Sequence, residues 1–214
     1  LIKILSNVDS FQEEQATNLK VMSKHLDART FLVGLHTRRE KLSDNVLYER
    51  FEVPTVTPGT FESIVLNDSF PSICRLRGGL FVEIDPESLR AAREESGMTQ
   101  SELADRVGVT KKSIYEHEKK PIKIEYENAV KIEKILKASL MEQLKIENLD
   151  ASMTPKTSFE AKIYRKFKSV GFDADAVYQS PFNMLAKDSS SLILSDVEES
   201  AKSAKKKLFY IKEF

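Results

Sequence analysis

The sequence predicts a chain of mixed class, α/β plus all-α, in which a helical centre separates two α/β segments. Three observations carry this. From Pro86 to Leu136, apolar residues recur at helical spacing and are punctuated by cap and stop residues. Short apolar runs flank that stretch: LIKILSNV, TFLVGL and VLYERF before it, DADAVYQ, PFNMLAK and SLILSDV after it. A Ser-, Thr- and Pro-bearing stretch, ASMTPKTS, parts the centre from the last segment. A chain of 214 residues has room for two or three small domains. The boundaries are placed at 1–84, 85–150 and 156–214.

In the first segment LIKILSNV reads as a strand. Ser10 caps a helix over Phe11 to Leu26, with Ala16, Leu19 and Val21 or Met22 inward, and TFLVGL is a short buried strand. A charged loop, 36–44, leads to a strand at VLYERF. Thr57-Pro58 opens a short helix to about Leu66. SICRLRGGLFVEID is a hairpin turned at Gly78-Gly79. The segment starts inside a strand and without Met, and its ILSNVDS parallels ILSDVEES near the other end. It is therefore expected to be the C-terminal part of a larger domain.

The centre is expected to hold five helices. Asp85 caps the first, which Pro86 opens, with Leu89 and Ala92 inward. Thr99 and Glu102 form a capping box for the second, whose Leu103, Ala104 and Val107 share a face. Gly108 supplies the sharp turn, since glycine reaches positive φ at little steric cost. Thr110 caps the third helix and Ile114 points it inward. Glu125 to Leu136 is the fourth, with Ala129, Ile132 and Leu136 in register, and LMEQLKIENL extends the helical run. After the linker, Phe159 to Val170 is an amphipathic helix with Ile163, Phe167 and Val170 inward, stopped by Gly171. Three strands, a helix over Glu198 to Lys206 and a last strand LFYIKEF complete an αβββαβ order.

Composition excludes more than it assigns. Lys and Arg balance Asp and Glu at 33 each, so no global field draws the chain to a membrane or to nucleic acid. The single Cys74 rules out an internal disulfide and fits a reducing cytoplasm. No apolar run is long enough to span a bilayer, and no signal peptide is visible. His25, His36, His117 and Cys74 lie far apart, without metal-ligand spacing. There is no phosphate-cradling loop and no dinucleotide fingerprint. No metal and no cofactor are expected. Lys205-Lys206-Lys207 and Glu13-Glu14 read as solvated charges that complement helix ends.

The stretch TQSELADRVGVTKKSIYEHEK carries the most specific message. Through Gln100, Glu102-Leu103-Ala104, Gly108, Val109, Ser113-Ile114 and Glu118 it resembles the lambda-repressor/Cro class of helix-turn-helix domains, over about residues 86–139. His117 stands where that class usually has an apolar residue and is read as a partly buried neutral imidazole. The resemblance implies that Gln100 contacts a phosphate. It also implies that the helix capped by Thr110 presents Lys111, Lys112, Ser113, Tyr115 and Glu116 to the major groove of double-stranded DNA. Across 86–139 there are eleven basic and ten acidic residues, so one copy is too neutral for strong non-specific binding and a homodimer is expected. Arg75 and Arg77 on the hairpin read as solvated arginines in preference to contacts with the DNA backbone.

The αβββαβ order resembles the restriction-endonuclease-like fold, whose active members carry an acid on the second strand and an acid-x-Lys on the third. Here PFNMLAK offers Asn183, and Leu192-Ile193-Leu194 offers neither group; Asp188 and Asp196 lie only at strand ends. A divalent-metal nuclease needs clustered carboxylates, so the domain is expected to be degenerate and the protein not an enzyme. Through RGGLFVEIDPESLRAARE, the helix-turn-helix and PF-x-x-LAK, the chain as a whole resembles archaeal HTH-type transcriptional regulators. That implies a DNA-binding regulator, with an unknown effector or protein partner for the α/β parts. The competing readings are a metal-dependent nuclease or junction-processing enzyme, and an antitoxin-like interaction module.

Overall fold

The computed structural model describes residues 1–178 and 180–198. The expected final helix and strand, 198–206 and LFYIKEF, lie outside the described residues beyond Glu198. The chain is mixed α/β and divides by internal contact into two compact units. One takes Leu1–Leu32, Arg50–Val53 and the chain from Ile146 on; the other takes Val33–Glu49 and Pro54–Lys145. Residues 1–84, read from the sequence as one α/β segment belonging to a larger domain, contribute to both.

In the first unit, strand β1 (Ile2–Asn7) lies beside the start of β2 (Phe31–His36). Between them run a single 3-10 turn (Val8–Ser10) and helix α1 (Glu13–Leu26). Ser10 does not cap α1: its hydroxyl donates to the Asn7 carbonyl at 2.6 Å and closes the 3-10 turn, and the helix begins after Gln12. The buried face of α1 holds Ala16 and Val21, but also Asn18, Ser23 and His25. These polar groups are satisfied by remote chain. Asn18 accepts from the Tyr178 amide at 2.6 Å, and Ser23 accepts from the Leu149 amide at 3.0 Å.

Helix α7 (Ser158–Ser169) is set by a Thr157–Glu160 capping box and followed by Gly171 at φ 93°. Val170, expected inward, is the C-cap and is exposed. The three expected strands, β8 (Asp173–Ala176), β9 (Met184–Lys187) and β10 (Leu192–Ser195), form an antiparallel meander, with Ala176 opposite Met184 and Ser195 opposite Met184 on the other side. Val21 of α1 packs with Val177 and Leu185 to form a core.

In the second unit the strand order is β2, β4, β3, β5, β6, β7. Strand β3 (Val46–Arg50) runs parallel to β5 (Ile73–Leu76), and β5 pairs antiparallel with β6 (Gly79–Val82) across the expected glycine hairpin, where Gly78 has φ 107°. Two strands were not expected: β4 (Val53–Val56), and β7 (Ile124–Glu125), which adds to β6. Helix α2 (Pro58–Asn67) follows Thr57, whose hydroxyl accepts from the Thr60 amide.

The helical centre holds four helices: α3 (Pro86–Glu95), α4 (Gln100–Val107), α5 (Lys111–Lys119) and α6 (Tyr126–Leu136). They enclose Leu89, Leu103, Ala104, Val107, Ile114, Ala129, Ile132 and Leu136, together with Val82 and Ile124 from the strands and Ile84 from the link into α3. The expected fifth helix over 140–150 does not form. Lys137 turns left-handed at φ 53°, and the Glu133 carboxylate accepts from the amides of Leu140 and Met141 at 2.6 and 3.0 Å. Those amides are thereby withdrawn from helical bonding. The chain bridges back to Ile84 through Met141, and Leu140, Leu144 and Ile146 are buried in irregular conformation.

Candidate nucleic-acid interface

The interface expected from the sequence is built by local rules at every joint. Thr99 accepts from the Glu102 amide at 3.2 Å, and Glu102 accepts from the Thr99 amide at 2.7 Å, so α4 begins with its first donors satisfied. These bonds hold the Glu102 carboxyl below its ordinary pKa. Gly108 ends α4 at φ 86° and donates to the Ala104 carbonyl at 2.9 Å. Ala104 is buried where α4 and α5 pack together. Thr110 then accepts from the Ser113 amide at 3.1 Å, and α5 starts in a fixed direction.

A polar network locks α5 from the inside. Arg93 on α3 and Glu118 on α5 are buried, and the guanidinium donates twice to the carboxylate, at 2.5 and 3.1 Å. It also donates to the Met98 carbonyl at 2.8 Å. Gln100, the first residue of α4, donates from its amide nitrogen to the same Glu118 carboxylate at 2.7 Å. A bidentate, hydrogen-bonded pair of this kind fixes geometry as well as charge. His117 is buried as expected, and burial pushes its imidazole below the ordinary pKa of 6.5, towards the neutral form.

The outward face of α5 presents the candidate residues. Thr110, Lys111 and Lys112 are exposed, Tyr115 is 45 % exposed, and Ser113 and Glu116 are partly exposed. Among the described residues neither lysine has an acidic partner, while Glu116 pairs weakly with Lys120 at 3.6 Å. Lys119 lies over the Tyr115 ring at 5.5 Å, a contact the sequence did not signal. The positive end of the α5 dipole adds to the two lysine charges, an arrangement that receives phosphate. Gln100 keeps its carbonyl oxygen and second N–H after bonding Glu118. It is therefore the candidate whose availability depends most on its neighbours.

Asp188 and Asp196, the acids at the strand ends, are not brought together. In the β9–β10 register Leu192 faces Lys187 and Ser195 faces Met184, so Asp188 and Asp196 flank opposite ends of the ladder. Five strand positions separate those levels, roughly 16 Å. Asp188 instead accepts from the Ser190 and Ser191 amides in its own turn. Asn183 is a structural amide: it donates to Glu160 at 3.1 Å and to the Val197 carbonyl at 2.9 Å, and accepts from the Val197 amide.

Sequence spacing also gave no hint of a second cluster. His25, Asp173 and Asp175 bring three ligand atoms within 4.8 Å of one another. The Lys24 ammonium already holds both carboxylates there, at 2.7 and 2.9 Å, and His25 bonds Asp175 at 2.9 Å. Burial pushes the Asp175 carboxyl up, but the bonds from His25 and Lys24 outweigh it and hold the group below its ordinary value. The Lys24 ammonium thus already pairs with both carboxylates of this cluster.

Comparison with known proteins supports the helix-turn-helix and finds nuclease-superfamily similarity in the first segment of the chain, not in residues 156–214 where the strand order suggested it. A Helix-turn-helix family model matches residues 89–143, and a PD-(D/E)XK superfamily domain model matches residues 1–71. A Pyrococcus furiosus protein named "Putative HTH-type transcriptional regulatory protein" is 35 % identical over 205 residues, 92 % of this chain and 65 % of its own length. Proteins of the same designation from Thermococcus kodakarensis and Methanocaldococcus jannaschii are 32 % and 29 % identical, over 92 % and 100 % of this chain and 64 % and 70 % of their own lengths. The chain thus spans about two thirds of the length of these curated relatives. No solved structure matches. No helix among the described residues is long and apolar enough to cross a membrane.

Proposed function

We propose that this chain, which belongs with the archaeal HTH-type transcriptional regulatory proteins, binds specific double-stranded DNA sequences as a dimer and regulates transcription in the cytoplasm without catalysing a reaction. Helix α5 is the reading element. Lys111 and Lys112 meet phosphates or base edges near its N-terminus, Tyr115, Ser113 and Glu116 face the groove, and Thr110 and Gln100 approach the backbone. The α/β parts pair two copies or receive an effector. The observation that carries this reading is the presentation of α5. The helix is capped at its start, held from within by Arg93 and Glu118, and presents on its outer face two lysines that have no acidic partner among the described residues.

Equilibrium binding of Lys111→Ala and Lys112→Ala to a bound duplex and its variants tests the assignment. Loss of a phosphate contact weakens every duplex alike and lowers the salt slope by about 0.9. Loss of a base contact relaxes discrimination at one position by about 1–3 kcal/mol. Unchanged binding by both variants removes α5 from the interface.

The PD-(D/E)XK similarity of residues 1–71 favours a second reading, a metal-dependent nuclease or junction-processing enzyme. The separation of Asp188 from Asp196, and the occupation of Asp173 and Asp175 by Lys24, count against a site built from those acids. Incubation of duplex and branched DNA with magnesium decides it: intact DNA is expected, and robust cleavage would establish the enzyme.

A further inference from the structure

Helix α7 departs from the charge balance of the rest of the chain. Residues 156–170 carry five cations and one acid, in a protein whose net charge is zero. The acid, Glu160, is buried and spent on the capping box and on Asn183. The cations face outward: Lys162, Arg165 and Lys166 are all exposed. At 100° per residue they fall within an arc of about 100°, whose centre lies roughly 150° from Phe167 and about 110° from Ile163. Their Cα atoms span about 6 Å along the axis.

Elsewhere in this chain exposed cations are commonly answered by acids. Lys20 meets Glu52, Arg90 meets Glu94 at 3.0 Å, and Lys156 meets Glu14 at 2.6 Å. Among the described residues Lys162, Arg165 and Lys166 have no acidic partner, and the only bond of the Arg165 guanidinium is to the Ala161 carbonyl one turn back. The helix therefore offers a basic stripe that no acid among the described residues neutralises, with no carboxylate among its own exposed residues. A polyanion gains there by counterion release without first breaking internal ion pairs. A regular array of phosphates meets several of these cations at once.

We propose that the Lys162–Arg165–Lys166 face of α7 is a second nucleic-acid contact, which holds the phosphate backbone of duplex DNA without reading its sequence. It rests on the reading of this chain as a DNA binder, but it supplies a different term. The stripe contributes affinity that depends on salt and not on sequence, whereas α5 contributes selectivity.

The test uses the full chain and a random-sequence duplex in fluorescence anisotropy, from about 50 to about 200 mM salt. The triple variant Lys162→Ala, Arg165→Ala, Lys166→Ala is expected to bind this duplex at least roughly tenfold more weakly at the lower salt. Its salt slope should be shallower by about 2–3, as for the loss of three phosphate contacts. Lys162→Arg with Lys166→Arg keeps the charge and should bind as wild type, which separates lost charge from lost fold. Lys111→Ala with Lys112→Ala should lose discrimination between duplexes while keeping the α7-dependent share. A wild-type salt slope and affinity in the triple variant overturn the proposal. So does failure of the wild-type chain to bind the random duplex at low salt, or dependence on the stripe only for anionic phosphatidylserine vesicles. Loss of selectivity by the α5 variants is scored separately, so either proposal can fail alone.

Discussion

The Arg93–Glu118–Gln100 network joins the three helices that present the candidate interface. Removing one member leaves its partner's charge buried, and that penalty exceeds the net worth of the pair. Glu118→Ala is expected to destabilise the fold by about 2–3 kcal/mol in denaturant unfolding, and to free the Gln100 side chain. Arg93→Met with Glu118→Leu should recover most of that loss; if the double variant is as unstable as the single, the cost lies in packing and not in the orphaned charge. His117 gives a pH signature. Its folded pKa is depressed by burial, so the unfolded chain takes up the proton first. Stability is therefore complete above the ordinary imidazole value of 6.5 and falls as pH drops through the folded value. His117→Leu should flatten that decline between pH 7 and pH 5 in thermal unfolding, and an unchanged slope would assign it to other groups. The burial of His117 was legible from its place in the motif. The bond from Gln100 to Glu118 was not, because it joins side chains eighteen residues apart. Asn183 was legible only as a missing acid, since its bonds to Glu160 and Val197 are products of folding.

At the scale of elements, legibility follows how local the cause is. The pair α4–α5 was readable because Thr99, Glu102, Gly108 and Thr110 each act within four residues. Gly108 makes this testable: a Cβ there meets nothing within 4 Å, so Gly108→Ala is charged only for a left-handed backbone. The expected loss is about 1 kcal/mol of stability, and a neutral result would show that the turn relaxes out of that region. Strand β7 was unreadable because it is two residues long and exists through its pairing with β6. The missing fifth helix has a similar reason, since Glu133 captures the Leu140 and Met141 amides from outside the segment. Helix α1 was read through its apolar spacing, yet much of its buried face is polar and binds residues 149–178 by hydrogen bonds.

At the scale of the whole molecule, charge sets the requirement. A helix-turn-helix region with eleven cations and ten acids gains little from counterion release, so useful affinity calls for two copies on a two-fold site. Light scattering during size exclusion is expected to give twice the 24.3 kDa of one chain; a strict monomer that still holds a specific duplex tightly would contradict the dimer. The partition of the chain was the least legible feature. The expected boundary near residue 84 divides the sequence where helices take over from strands, whereas the compact units draw on segments from both sides of it. The most direct measurement is selection of bound duplexes from a random-sequence pool by the full chain. The account predicts enrichment of a two-fold sequence whose half-sites lie about 10 bp or a multiple of it apart, and loss of that enrichment on Lys111→Ala with Lys112→Ala. Salt-sensitive binding with no enriched sequence, or enrichment indifferent to those substitutions, would contradict it.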